Sequence, residues 1–307
     1  MFLSGKIKFI FIFLLLFQFG FGNELSIAKR DSLKFIKAKK IGLSVFCGGL
    51  TAGSLVYLNQ VWYSQYNTGK FHFFDDSQEW LQMDKVGHFH STFQISNLTM
   101  KAFDWAGFNT KQKLFIGGTL GYGYMTAIEI MDGYSNGWGF SWSDMGANTL
   151  GTALAIGQEA AWKEQRFNLK ISFHQTEYAA YNPALLGKNL SEQILKDYNG
   201  QTYWLSVSPF TFIRSDKKLP KWLALSFGYG ADGMVGAFYN TVTDDEGNVI
   251  HFNRVRQYYF SIDVDLSKIK TRYKFVNAIL NSINILKIPA PTIEFGAGRT
   301  KFHYLYF

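Results

Sequence analysis

Near Leu169 the spacing of apolar residues changes period, and no other feature of this sequence restricts the possible folds so strongly. Upstream, apolar side chains return every three or four residues. Val86, Phe89, Phe93 and Met100 fall on one side of a helix, with Lys85, His88, Thr92 and Ser96 on the other. Downstream they alternate. Tyr258, Phe260, Ile262, Val264 and Leu266 interleave with Tyr259, Ser261, Asp263 and Asp265, as in a strand with one apolar and one wetted face. Helices followed by strands predict an α+β chain: an N-terminal helical bundle of about four helices, then a β-rich antiparallel C-terminal unit. The expected divisions are 1–22, a basic polar segment 23–40, the bundle 41–165, and a β-rich unit 166–307 with helical insertions.

The expected helices are Ile41–Leu58, Asp84–Ala106, Lys111–Met131 and Ser141–Lys163. Gly48, Gly49, Ala52 and Gly53 would let another helix pack closely on the first. Gly117, Gly118, Gly121 and Gly123 weaken the third in isolation but permit a close neighbour. DGYSNGWGFS, Asp132–Ser141, reads as a turn. Strands are expected around Tyr203–Ile213, Trp222–Gly230, Met234–Val242, Tyr258–Leu266, Pro291–Ala297 and Lys301–Phe307, with DDEGN, Asp244–Asn248, as a turn. Pro183–Tyr198 and Lys274–Leu286 read as helical insertions. The terminal HYLYF resembles the last strand of outer-membrane barrels, which makes a small outer-membrane β-barrel of the C-terminal strands the alternative architecture. Lys301 and His303 count against it, because they share a face with Phe307 that lipid would require to be apolar. A sheet packed on the helices or laid on a membrane is the main expectation.

The first residues, MFLSGKIKFIFIFLLLFQFGFG, set Lys6 and Lys8 before an apolar run that closes on Gly20 and Gly22, the form of a secretory signal peptide. Cleavage after Gly22 would leave no cysteine to carry a lipid, and would lower the formal charge of +8 by two. The remaining basic excess suits an anionic membrane surface, and an exported chain rarely meets nucleic acid. Hydrophobic residues make up 47% and charged residues only 18%, below the usual ~25%, a shift toward a membrane or a large buried surface. The expected partner is therefore membrane lipid or envelope glycan, with no nucleic acid, in the periplasm or outer membrane. Cys47 is alone, so no internal disulfide can form. Lys29 to Lys40 is basic and precedes the uncharged run Ile41–Leu58, which is about long enough to span a bilayer. After export those charges would lie outside, against the positive-inside preference, which disfavours an inner-membrane span.

One constellation stands out. Lys85 and His88 are neighbours on one helix surface; Glu129 is the first acid after LFIGGTLGYGYMTAI, with Asp132 three residues on; Asp144 and Asn148 share a face of the next helix. Asp84 precedes Lys85. The seven residues Asp84, Lys85, His88, Glu129, Asp132, Asp144 and Asn148 form the candidate cluster. Each also has a structural reading. Ser141 and Asp144 fit a capping box, worth about 1 kcal/mol; Lys85 would neutralise Glu129 or Asp144; His90 points elsewhere. His88, Glu129, Asp132 and Asp144 would suit a divalent metal, but no HExxH-like pair supports one, so neither metal nor cofactor is expected. An enzymatic alternative makes His88 a general base or nucleophile, with Lys85 holding a phosphate. That would be a hydrolase or transferase acting on a lipid-linked or glycan envelope substrate.

D-K-x-x-H-F at Asp84–Phe89, Glu129, and D-x-x-x-N-x-x-G at Asp144–Gly151 resemble the VanZ-like superfamily. YNPALLGKNLSEQILKDYNGQTYWLS, Tyr181–Ser206, extends the resemblance to the YfiM-like family of predicted periplasmic or outer-membrane lipoproteins. The resemblance implies an envelope protein and brings no established reaction. Two departures stand out: Ile130–Ser143 lacks the Gln and the Arg usual in VanZ-like proteins, and the lipoprotein cysteine is missing.

Overall fold

A computed structural model describes residues 32–60, 69–213, 219–243 and 247–307. The expected signal peptide, residues 23–31 and most of the DDEGN turn lie outside them. The chain forms two compact units. A helical unit takes the described residues up to Ser77 and Lys85–Gln165; a sheet unit takes Gln78–Asp84 and the described residues from Arg166 onward.

Four long helices make up most of the helical unit: α1 (Ser32–Leu58), α2 (Met83–Trp105, whose first two residues belong to the sheet unit), α3 (Leu120–Gly133) and α4 (Trp142–Trp162). The helix expected from Lys111 to Met131 is broken. A one-turn helix, Thr110–Gln112, capped by Asn109, runs into a π-turn at Lys113–Gly117 before α3 begins. The break follows the glycines: a Cβ at Gly118 would lie 2.6 Å from Ile156, and the Gly117 carbonyl is taken by the Thr99 hydroxyl. Close approach is real at two other glycines. A Cβ at Gly121 would lie 2.8 Å from the Thr92 carbonyl oxygen, and one at Gly151 would lie 2.3 Å from that of Phe89. Helix α2 thus has backbone contact on both sides, which buries Thr92 and Ser96 as fully as Phe93 and Met100.

Helix α1 joins the basic residues Lys34, Lys37, Lys39 and Lys40 and the uncharged run in one continuous element. Leu33–Leu58 is long and apolar enough to cross a membrane, by length and composition. The close packing expected at its small residues is not found: a Cβ at Gly48, Gly49 or Gly53 would meet nothing within 4 Å.

In the sheet unit, β1 (Phe167–Phe173), β2 (Gln201–Val207) and β3 (Leu223–Asp232) are followed by a separate hairpin of β4 (Thr241–Thr243) and β5 (Val249–His251). Then come β6 (Val255–Val264), β7 (Ala290–Gly296) and β8 (Arg299–Tyr306). The order β1-β2-β3-β6-β7-β8 is antiparallel throughout. The strand expected at Met234–Val242 reduces to β4. Helices α5 (Leu190–Lys196) and α6 (Lys274–Ile283) fill the two expected insertions.

The described strands do not close, which overturns the barrel alternative. Where β1 would meet β8 in a barrel, it pairs with the connection after α6: Ile171 N–H donates to Ile285 O (2.9 Å) and Lys287 N–H to Ile171 O (3.0 Å).

The two faces of the sheet are the reverse of the sequence expectation. Asp263, Ser261 and Tyr259 are at most 3% exposed, whereas Tyr258 and Ile262 are about half exposed. The face read as wetted is the core. Burial of Asp263 is tolerated because Lys170 Nζ lies 2.9 Å from its Oδ2, Ser206 and Ser226 donate to the same oxygen, and Lys287 Nζ lies 3.7 Å from Oδ1. Lys170 also donates to Val264 O, and Lys287 to Ile262 O and Ile288 O. Burial alone would raise the Asp263 carboxyl, yet the two ammonium groups outweigh it and hold it down. Desolvation brings Lys287 down to about 8.

Gln78–Asp84 contributes Met83, fully buried with Ala231 and Met234 and packed by Trp80, Leu81 and Tyr229. Trp80, Leu81 and Gln82 all have positive φ, a left-handed conformation that strains residues bearing a side chain. It is held by Trp80 N–H donating to Ala237 O (3.1 Å), the Tyr229 hydroxyl donating to Leu81 O, and Arg256 donating to Gln82 (2.6 Å).

Candidate functional site

The stretch MDKVGHFHSTF opens α2. Its side chains Lys85, His88 and Thr92 rise one turn at a time along a single surface. Lys85 Nζ sits 2.6 Å from Asp76 Oδ2 and 2.8 Å from Asp144 Oδ1. All three side chains are nearly withdrawn from solvent, at 11%, 12% and 4% exposure. The ammonium therefore joins three separate segments: the loop before α2, α2 itself, and the first turn of α4.

Ser141 caps α4, its hydroxyl accepting the Asp144 N–H at 3.1 Å. In a capping box the third helical residue would bond back to the cap N–H. Here Glu129 of α3 takes that N–H, Ser141 N to Oε2 at 3.2 Å, while the Asp144 carboxylate faces Lys85. The Ser141 and Ser143 hydroxyls reach Asp76 Oδ1 at 2.6 and 2.8 Å. Burial would raise the Asp76 carboxyl, but hydrogen bonding with Asp144, Lys85 and Ser141, with the Lys85 charge, holds it at about 2.

One turn along, His88 Nδ1 lies 3.2 Å from Asn148 Oδ1 and 3.6 Å from Glu129 Oε1. The first is a hydrogen bond and the second is too long to be one. Thr92 Oγ1 also donates to Asn148 Oδ1, at 3.1 Å. The network thus brings together Lys85, His88, Glu129, Asp144 and Asn148. Asp84 accepts the Tyr198 hydroxyl at 2.7 Å, and its carboxylate also lies with ligand atoms of His88 and Asp144, all within 4.8 Å of one another. Asp132 lies half-buried in the last turn of α3, and its backbone carbonyl accepts Ser135 N–H. Asp76 was missed from the sequence. It stands in FHFFDDSQEW, a loop without periodicity, and its signal was an acid pair placed just ahead of D-K-x-x-H. A divalent ion held by Asp144 would meet the Lys85 ammonium as a like charge beside it.

His90 is a core histidine on the same helix. Burial lowers it from 6.5 to about 4, so it is neutral when folded. A depressed histidine contributes stability that is full above the unfolded value and is lost as pH falls through the folded one. Wild-type protein should lose roughly 3 kcal/mol between about pH 6.5 and 4 from this group. Urea melts at both ends of that window should show the loss, and His90→Gln should flatten it. An equal slope in the variant would remove His90 from the account.

Residues 72–159 match the model of a family described as predicted periplasmic lipoprotein (DUF2279). That segment contains Asp76, Lys85, His88, Glu129, Asp144 and Asn148. Comparison with curated proteins and with solved structures gives no match. The chain is an exported protein of the cell envelope, similar over most of its helical unit to a family of predicted periplasmic lipoproteins of unknown function.

Proposed function

We propose that the chain is a structural, non-catalytic component of the cell envelope, and that the Lys85 cluster is the lock of its helical unit. The observation that carries this reading is the placement of Lys85 between Asp76 and Asp144, at 2.6 and 2.8 Å, with all three side chains nearly buried. A cation already matched by two carboxylates has little left to offer a phosphate. The resemblance of the same residues to the VanZ-like superfamily, and of Tyr181–Ser206 to YfiM-like lipoproteins, supports an envelope role.

A hydrolase or transferase acting on a lipid-linked or glycan substrate is the second reading, favoured by His88. Its imidazole is 14% exposed, with Nδ1 held by Asn148 and a carboxylate close behind. Complementation of a deletion strain with His88→Ala, read beside protein abundance and melting temperature, separates the two. A structural lock predicts that function falls in step with abundance and melting temperature. Full abundance and an unchanged melting temperature with lost function would overturn it in favour of the enzyme. Elemental analysis of wild type and His88→Ala adds a further check, since a stoichiometric metal lost in the variant would refute a metal-free lock.

A further inference from the structure

The outward face of the six-stranded sheet is apolar from β3 to β8. Leu225 and Phe227 of β3, Tyr258 and Ile262 of β6, Phe295 of β7 and Phe302 of β8 are each between 37% and 55% exposed. Neighbours across the strands continue the face: the Phe227 and Phe260 rings are 5.3 Å apart, those of Tyr229 and Tyr258 are 5.6 Å apart, and in the register Leu225 stands opposite Ile262 and Tyr258 opposite Phe295. No outward residue from Leu223 to Tyr229 or from Tyr258 to Val264 is charged; Asp263 of β6 is turned into the core, and Arg256, at the start of β6, is exposed. A water-soluble sheet has the opposite arrangement, with its apolar face buried. A patch of this extent marks an interaction surface.

Charge identifies what covers it. Lys221, Lys270, Arg272 and Lys274 are exposed beyond the strand end marked by Leu223 and Val264, and Arg299 and Lys301 are exposed toward the other end. Among the described residues of this unit, Glu177 is the one acid exposed to the same degree. A second copy seated face to face would bring two rims of like sign together. An anionic bilayer offers hydrocarbon for the face and phosphates for the rim. The unpaired outer edge of β8 rules out full insertion, because backbone groups at an open edge find no partner in hydrocarbon.

We propose that the sheet unit seats its outward face in one leaflet of an anionic bilayer, without crossing it, with the basic rim on the lipid phosphates. This inference is independent of the Lys85 lock.

The test uses the full chain with Cys47→Ser and a nitroxide at Phe227→Cys, Ile262→Cys or Phe302→Cys, with Glu177→Cys as the control. Each is mixed with vesicles of phosphatidylethanolamine and phosphatidylglycerol. At the three sheet positions, collision with a water-soluble nickel complex should fall about tenfold while collision with oxygen rises. At Glu177 neither should change. Attachment through α1 alone would leave the sheet labels in water, so nickel access unchanged by vesicles overturns the proposal. Dipolar broadening between labels before lipid is added would overturn it too, by making the face a contact between copies.

Discussion

Asp263→Asn should destabilise the sheet unit by about 3 to 5 kcal/mol at neutral pH, the usual consequence of removing one partner from a buried charge group. Asp263 is the anion between two fully buried ammonium groups, Lys170 and Lys287. Amide in place of carboxylate keeps the shape and leaves two buried positive charges opposed by none of comparable closeness. The loss should shrink as pH rises, because Lys287, already lowered to about 8, would give up its proton more readily without its counter-charge. Denaturant melts of the full chain at neutral and alkaline pH measure both effects. A variant within ~1 kcal/mol of wild type at neutral pH would mean that the three groups are not charged together as described. Substituting Asp263 and Lys170 jointly by Leu and Met should recover part of the loss, since a matched apolar pair avoids the desolvation penalty.

Lys85→Met should have an effect of similar size on the helical unit, about 3 kcal/mol or more, and with the opposite pH dependence. Methionine fills most of the volume but leaves Asp76 and Asp144 facing each other without a cation. In wild type, Asp76 is held at about 2, so its contribution is fully present above the unfolded value of 3.8 and disappears only as pH falls through 2. In the variant the paired carboxylates should take up a proton well above that, and the deficit relative to wild type should narrow on mild acidification. Parallel melts at pH 7 and pH 5 would show it. A deficit that is constant with pH would indicate lost packing rather than lost charge.

Much of this architecture was legible from the sequence because periodicity is local. The switch near Leu169 separates helices from strands, Ser141 does cap α4, and the spacing of Lys85, His88 and Thr92 does place them on one surface. What was not legible depended on partners far along the chain. Alternation at Tyr258–Leu266 defines two faces but does not say which one is buried. That was decided by Lys170, some ninety residues earlier, and by Lys287. Asp76 had no pattern around it, since loops carry none. The break before α3 lies in the glycines, whose presence signals tolerance of close approach without marking where the helix yields.

The segment Gln78–Asp84 has one more consequence, for the order in which an exported chain can fold. It plugs the sheet unit with Met83, and α2 begins on the same residue, yet Ala231 and Met234 emerge from the translocation pore about 150 residues later. Severing the chain after residue 165 would give a C-terminal fragment with a hole where Met83 belongs. Its N-terminal counterpart would keep three strained residues whose holding contacts had been cut away. Neither piece is a natural module, and maturation of the first helix turn must wait for the strands.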